Sequence, residues 1–150
     1  MTQVSFYHLE RSSLEAALAQ LLEKALSAGF RAVVKAASEE RLESLNAALW
    51  TYDQGSFLPH GSAKDGHGPD QPIWLTVDED NPAGAEVLFL TDGAESGAIG
   101  EYARCLEIFD GRDDAALEMA RRHWVSYKEA GHDLTYWRQG ERGGWEKQEL

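Results

Sequence analysis

An α/β fold, with a largely parallel sheet covered by helices on both faces, is what this 150-residue chain predicts. Three observations carry that prediction. Short β-branched or apolar runs alternate with segments of helical periodicity. The run Arg31 to Ala36, RAVVKA, has the composition of a strand buried within a parallel sheet. A long amphipathic segment, roughly residues 112–130, directly follows the last apolar run, as in a strand-to-helix crossover, and such crossovers are right-handed.

Each element has its own signal. Val4 to Leu9, VSFYHL, opens with β-branched and aromatic residues and reads as a strand. Ser12 followed by Glu15 has capping-box spacing, and Leu14, Ala17, Leu18, Leu21, Ala25 and Leu26 form an apolar stripe that ends at Gly29, so a helix is expected there. After the second strand, Ser38 caps a second helix carrying Leu42, Leu45 and Leu49. From Tyr52 to Gln71 periodicity gives way to glycines and turn formers, a long loop. Pro72 to Val77 and Glu86 to Thr91 read as strands, and the short turn DEDNPAG between them would also allow one antiparallel pair. Arg104 to Phe109, RCLEIF, is the fifth strand. In the following helix Asp113 and Asp114 occupy the first turn, where the helix dipole favours negative charge. Ala116, Leu117, Ala120, Trp124 and Tyr127 make its core stripe, and Gly131 supplies its left-handed cap. Tyr136 and Trp137 should pack back on the domain, and residues 141–150 should fray.

The length is that of one domain, 1–150, with a core large enough to stand without metals or disulfides. No run of 18 apolar residues occurs and the first residues carry no basic leader, so neither a membrane span nor secretion is expected, and the expected location is cytoplasmic. The single cysteine, Cys105, lies in an apolar run and reads as a buried core thiol. Charge is uneven. Residues 1–111 carry 7 basic and 18 acidic side chains, residues 112–142 carry 6 of each, and the whole chain is at −12. Direct binding to duplex DNA needs a sustained positive footprint, which this balance opposes, so DNA is expected only indirectly.

Chemistry-bearing motifs are sparse. The first strand-to-helix turn, HLERSS, has no glycine, and no phosphate-cradling glycine motif occurs in the chain. The glycines of TDGAESGAIGEY are accompanied by Asp92, Glu95 and Glu101. No histidine pairs at metal-ligand spacing and no nucleophile elbow is present, so neither a cofactor nor a metal is expected and catalysis has no positive sign. Two surface features do stand out. Arg121, Arg122, Val125 and Lys128 put cationic heads and a small apolar patch on one side of the last helix, which suits an acidic, apolar-tipped ligand. Trp50 ends the second helix beside Phe57, Leu58 and Pro59 of the long loop, a composition typical of protein-interaction anchors.

The start FYHL, the W-x6-F-L-P-H element from Trp50 to His60, and the run EIFDGRDDAALEMARRHWVSYKEAGHDLTYW with its Y-K-x-A-G segment resemble the chi subunit of bacterial DNA polymerase III holoenzyme over nearly the whole chain. The resemblance implies a single three-layer domain of nucleotide-binding-like topology without a nucleotide site, acting as a non-catalytic clamp-loader accessory subunit. It implies two contacts. Trp50 and Phe57, with Leu58 and Pro59 adjoining, match positions that bind the psi subunit. Arg121, Trp124 and Lys128 match positions that bind the acidic C-terminal tail of single-stranded DNA-binding protein. Position 125 is Val and 117 is Leu where a well-known family member is basic, so Arg122 or Arg138 would compensate. The alternatives are a small nucleotide-dependent enzyme on the same fold and an acidic scaffold protein.

Overall fold

The computed structural model describes residues 2–51, 60–62, 66, 68–142 and 144–148. In chain order they form β1 (Gln3–Leu9), α1 (Leu14–Ser27), β2 (Ala32–Lys35), α2 (Glu39–Thr51), β3 (Gly61–Ser62), β4 (Ile73–Thr76), β5 (Val87–Thr91), β6 (Arg104–Asp110), α3 (Asp114–Glu129), β7 (Asp133–Gln139) and β8 (Trp145–Gln148). The strands make one sheet of order β3-β4-β2-β5-β6-β1-β7-β8, parallel at every pairing except β7 with β8. Because side chains alternate across a strand, the sheet feeds two cores. Leu9, Val34, Phe89 and Ile108 pack with Leu18, Leu22, Leu45 and Leu49 under α1 and α2. On the other face Val4, Phe6, Leu90 and Phe109 pack with Ala120 and Tyr127 of α3. This is the three-layer α/β architecture that the alternation of strands and helices predicts.

Local chemistry sets the helix ends, in one case differently from expectation. α1 is capped by Ser13, whose hydroxyl accepts from Ala16 N at 3.2 Å, and not by Ser12. Glu15 does not close a capping box and instead receives Arg41 of α2 at 2.8 Å. For α3, Asp113 accepts from Ala115 N at 3.0 Å, and Gly131 at φ +89° turns the chain out after the last turn, as the sequence predicts.

Three other expectations are corrected. Strands β4 and β5 do not form an antiparallel pair: each lies parallel to β2, one on either side. The linking segment folds back instead, with Asp80 accepting the Trp74 indole N–H at 2.7 Å and Asn81 bonding both ways with Ala85. Residues 133–139 are a strand beside β1 and not merely a packed tail. The last ten residues do not all fray, since 145–148 pair with β7. Trp145 sets its ring edge-on to Tyr7 at 4.9 Å and Trp137 stacks on Tyr7 from the neighbouring strand, so one aromatic anchors an otherwise polar strand.

The β1–α1 turn is where parallel α/β domains present backbone N–H groups to anions. Here those groups already have a partner. Gln139 of β7 is buried, and its Oε1 accepts from the backbone N–H of Glu10 (3.2 Å), Arg11 (2.8 Å) and Ser12 (3.0 Å), while its amide donates to the Ser12 hydroxyl at 2.7 Å. The crevice beside this turn, about 540 Å³ between the starts of α1 and α3, is lined by Glu15, Asp92, Asp110 and Asp113 against Arg41 and Arg112. Both arginines are engaged internally, Arg41 with Glu15 and Asp92, Arg112 with Asp110 and the carbonyls of Arg11 and Ser12. A phosphate entering there would meet more negative than positive charge.

Candidate functional site

α3 packs on β6 and β7, and its two flanks differ. The flank toward β5 is tied down by a buried polar cluster. His123, on the apolar stripe of the helix, sets Nδ1 2.7 Å from Glu107 of β6 and Nε2 3.0 Å from the exposed Glu95. The Tyr127 hydroxyl donates to the same Glu107 oxygen at 3.0 Å. A carboxylate on each ring nitrogen requires one proton more than a neutral imidazole carries. Accordingly, the hydrogen bond and charge of Glu107, joined by Glu95, raise the His123 pKa, and burial raises that of Glu107. Burial likewise pushes the Cys105 thiol up, and it sits in the core as expected.

The other flank opens on a pocket of about 620 Å³ between α3 and the strands β1, β7 and β8. Leu117, Ala120, Trp124 and Val125 form its helix wall, His8 and Tyr136 its floor, Gln148 of β8 its far edge, and Arg121 and Arg138 bring two guanidinium groups to it. His8 Nδ1 lies 2.6 Å from the Tyr136 hydroxyl and its Nε2 3.4 Å from Glu10, contacts that a single neutral tautomer satisfies. Burial keeps the His8 pKa below its usual value despite the opposing charge of Glu10. Gly111 makes this floor possible: a Cβ there would stand 1.9 Å from His8 Nε2, so any side chain would collide with the ring.

Three of the five predicted peptide-site residues, Arg121, Trp124 and Val125, therefore line one pocket, together with Arg138. Trp124 serves both roles open to it from sequence. Its ring meets Phe6 edge-on at 5.3 Å and Tyr136 at 5.9 Å in the core while it also walls the pocket. Val125 is 54% exposed, an apolar contact left open to a partner. Arg122 and Lys128 do not line the pocket, and Arg122 sits 3.9 Å from Glu118 one turn back on its own helix. Sequence reading missed His8, Glu10, Tyr136 and Gln148. Tyr136 had a signal, since it alternates with Leu134 as a strand residue does, but His8 and Glu10 come from the other end of the chain and only strand pairing brings them here.

On the opposite face of the sheet, Trp50 ends α2 with 56% of its surface exposed and its ring 4.4 Å from that of His60. Phe57, Leu58 and Pro59 lie outside the described residues. Among the described residues no three His, Cys, Asp or Glu side chains gather as a metal site would need, and no helix is long and apolar enough to cross a membrane.

Fold and site together define a parallel α/β domain whose phosphate-type turn is filled by its own side chain and whose pocket between α3 and β7 brings two arginines beside apolar side chains. The chain belongs to the family of the DNA polymerase III chi subunit, HolC, which matches residues 1–135. It is similar to the probable DNA polymerase III subunit chi of Rickettsia prowazekii, 32% identical over 109 residues covering 73% of this chain and 66% of that relative. It is also similar to the DNA polymerase III subunit chi of Pseudomonas aeruginosa, 26% identical over 137 residues covering 89% and 94%. The protein is thus an accessory component of the replicative polymerase. Arg138, Gln139 and β8 lie beyond the stretch that the family matches.

Proposed function

We propose that this chain is a non-catalytic accessory subunit that bridges the clamp loader to single-stranded DNA-binding protein by holding the acidic, apolar-ended C-terminal tail of the latter in the pocket between α3 and β7. The observation that carries this reading is Arg121. Among the described residues it has no carboxylate within ion-pair distance, although the chain is at −12, and it stands beside the exposed Val125 and the Trp124 wall. An unpaired guanidinium next to apolar surface is what a peptide carboxylate with an apolar terminal side chain requires. Lys128, exposed about two turns beyond Arg121 on α3, and Arg122 would steer the acidic stretch toward the pocket without entering it. A contact of this kind is weak alone and gains from many tails on one partner.

The second contact is with the psi subunit or an equivalent clamp-loader component, through Trp50 together with Phe57, Leu58 and Pro59. Its support is the exposure of Trp50 on the sheet face opposite the pocket, which leaves room for both partners at once. The rival, a nucleotide-dependent enzyme, is disfavoured by the Gln139 amide in the β1–α1 turn and by the carboxylates of the adjoining crevice.

Arg121→Ala should weaken binding of an aspartate-rich, phenylalanine-ended peptide by about 1–3 kcal/mol, the range for a charge-assisted contact. A fluorescence titration showing unchanged affinity would remove this residue, and with it the main support, from the proposal. Trp50→Ala should fold normally and no longer co-elute with clamp-loader components; retention in that complex would discard the second contact.

A further inference from the structure

The two guanidinium groups of the pocket are in different states. Arg121 is unpaired among the described residues, whereas Arg138 directs both Nε, at 2.8 Å, and Nη2 to one oxygen of Glu10. That oxygen is the one lying 3.4 Å from His8 Nε2. Glu146 stands opposite Arg138 in the β7–β8 register yet receives no hydrogen bond from it. The backbone N–H of Glu10 is fixed by Gln139, while its side chain is about one-third exposed, at 32%, at the pocket margin, so that rotating it into solvent would break its contacts with Arg138 and His8 and leave the backbone turn in place. The geometry of the Glu10–Arg138 pair is that of a carboxylate docked on the pocket's second cation.

We propose that Glu10 is a resident stand-in for the ligand's carboxylate, and that an acidic peptide enters the pocket by displacing it from Arg138, so that Arg121 and Arg138 become a two-cation clamp. This rests on the acidic-peptide reading of the pocket. The exchange replaces one ion pair by another, which keeps the contact weak. Among the described residues it also leaves Arg121 as the unpaired charge of the pocket, so small anions, which cannot add the apolar contact with Val125 and Trp124, gain little by entering. Arg138 lies beyond the family-matched residues.

The test is anisotropy titration of a labelled aspartate-rich peptide ending in phenylalanine with a free carboxylate, at about 50 mM salt, where screening is modest. Four exposed or part-exposed side-chain variants are compared with the unaltered protein: Glu10→Gln, Arg138→Gln, the double variant, and Glu118→Gln, which deletes the same charge from α3 outside the pocket. Glu10→Gln should bind about two- to fivefold more tightly, the factor that corresponds to an exposed ion pair of ordinary strength. Glu118→Gln should gain clearly less, Arg138→Gln should bind more weakly, and the double variant should lose the gain of Glu10→Gln. A gain from Glu10→Gln no larger than that from Glu118→Gln, or one that survives in the Arg138→Gln background, overturns the proposal while leaving the peptide pocket standing. Absence of binding by all five proteins removes the peptide reading itself, and this inference with it.

Discussion

His123 and His8 sit on opposite flanks of the same helix and respond to pH in opposite directions. His123 is raised above its ordinary value of 6.5 by the carboxylates of Glu107 and Glu95, so its contribution to stability is fully present below pH 6.5 and is lost as pH rises through the folded-state value. Burial raises Glu107 while the His123 contact opposes that rise, so the pair shares one proton, carried on His123, and loses it as a unit. His8 is lowered by burial, so folding is penalised as pH falls below 6.5, where the unfolded chain takes up a proton that the folded pocket floor refuses. His123→Gln should cost about 3 kcal/mol near pH 6, the scale for breaking a buried charged pair. It should also flatten the decline in stability above pH 6.5. Urea unfolding across that range checks both, and a variant whose pH profile parallels that of the unaltered protein would show that His123 does not hold the extra proton. Part of this was legible: Glu107 falls at an apolar position of the strand CLEIF, and His123 falls on the helix stripe between Ala120 and Tyr127. That the two meet is a fact of packing across 16 residues.

At the level of elements, α3 and the β7–β8 hairpin divide the work. α3 was readable from its Asp113 cap, its stripe and Gly131, because each depends only on residues within a few turns. The hairpin was not. β7 alternates weakly and β8 is Trp-Glu-Lys-Gln, with one apolar residue, so neither carries a strand period strong enough to see. What orders them is non-local: β7 pairs with β1, Trp145 meets Tyr7, and Gln139 reaches the β1–α1 turn. Gln139→Ala should leave three backbone donors without their shared acceptor and lower stability by about 1–3 kcal/mol by denaturant unfolding. A change near zero would mean that water replaces the amide at no cost and that Gln139 does not hold the turn.

Across the whole molecule, charge sets two salt responses of opposite sign. The chain at −12 repels itself, so added salt should stabilise the fold, whereas binding of an acidic tail to Arg121 and Arg138 should weaken as screening shortens from about 10 Å at 0.1 M to about 3 Å at 1 M. A melting temperature that rises by about 2–4 °C, roughly 1 kcal/mol for a domain of this size, while peptide affinity falls over the same salt series, is the expected pairing. Affinity that holds steady in salt would argue for an apolar contact and against a carboxylate clamp. The sequence by itself determined the α/β class, the five main strands, the three helices and the odd face of α3, because periodicity, caps and turn residues act over neighbouring positions. Only the tertiary structure decided which cations share the pocket. Arg121 and Arg138 come together, and Lys128 stays outside, because β7 lies parallel to β1 beneath α3 and β8 folds back to close the edge. Strand register sets that arrangement, and register depends on side chains more than a hundred residues apart.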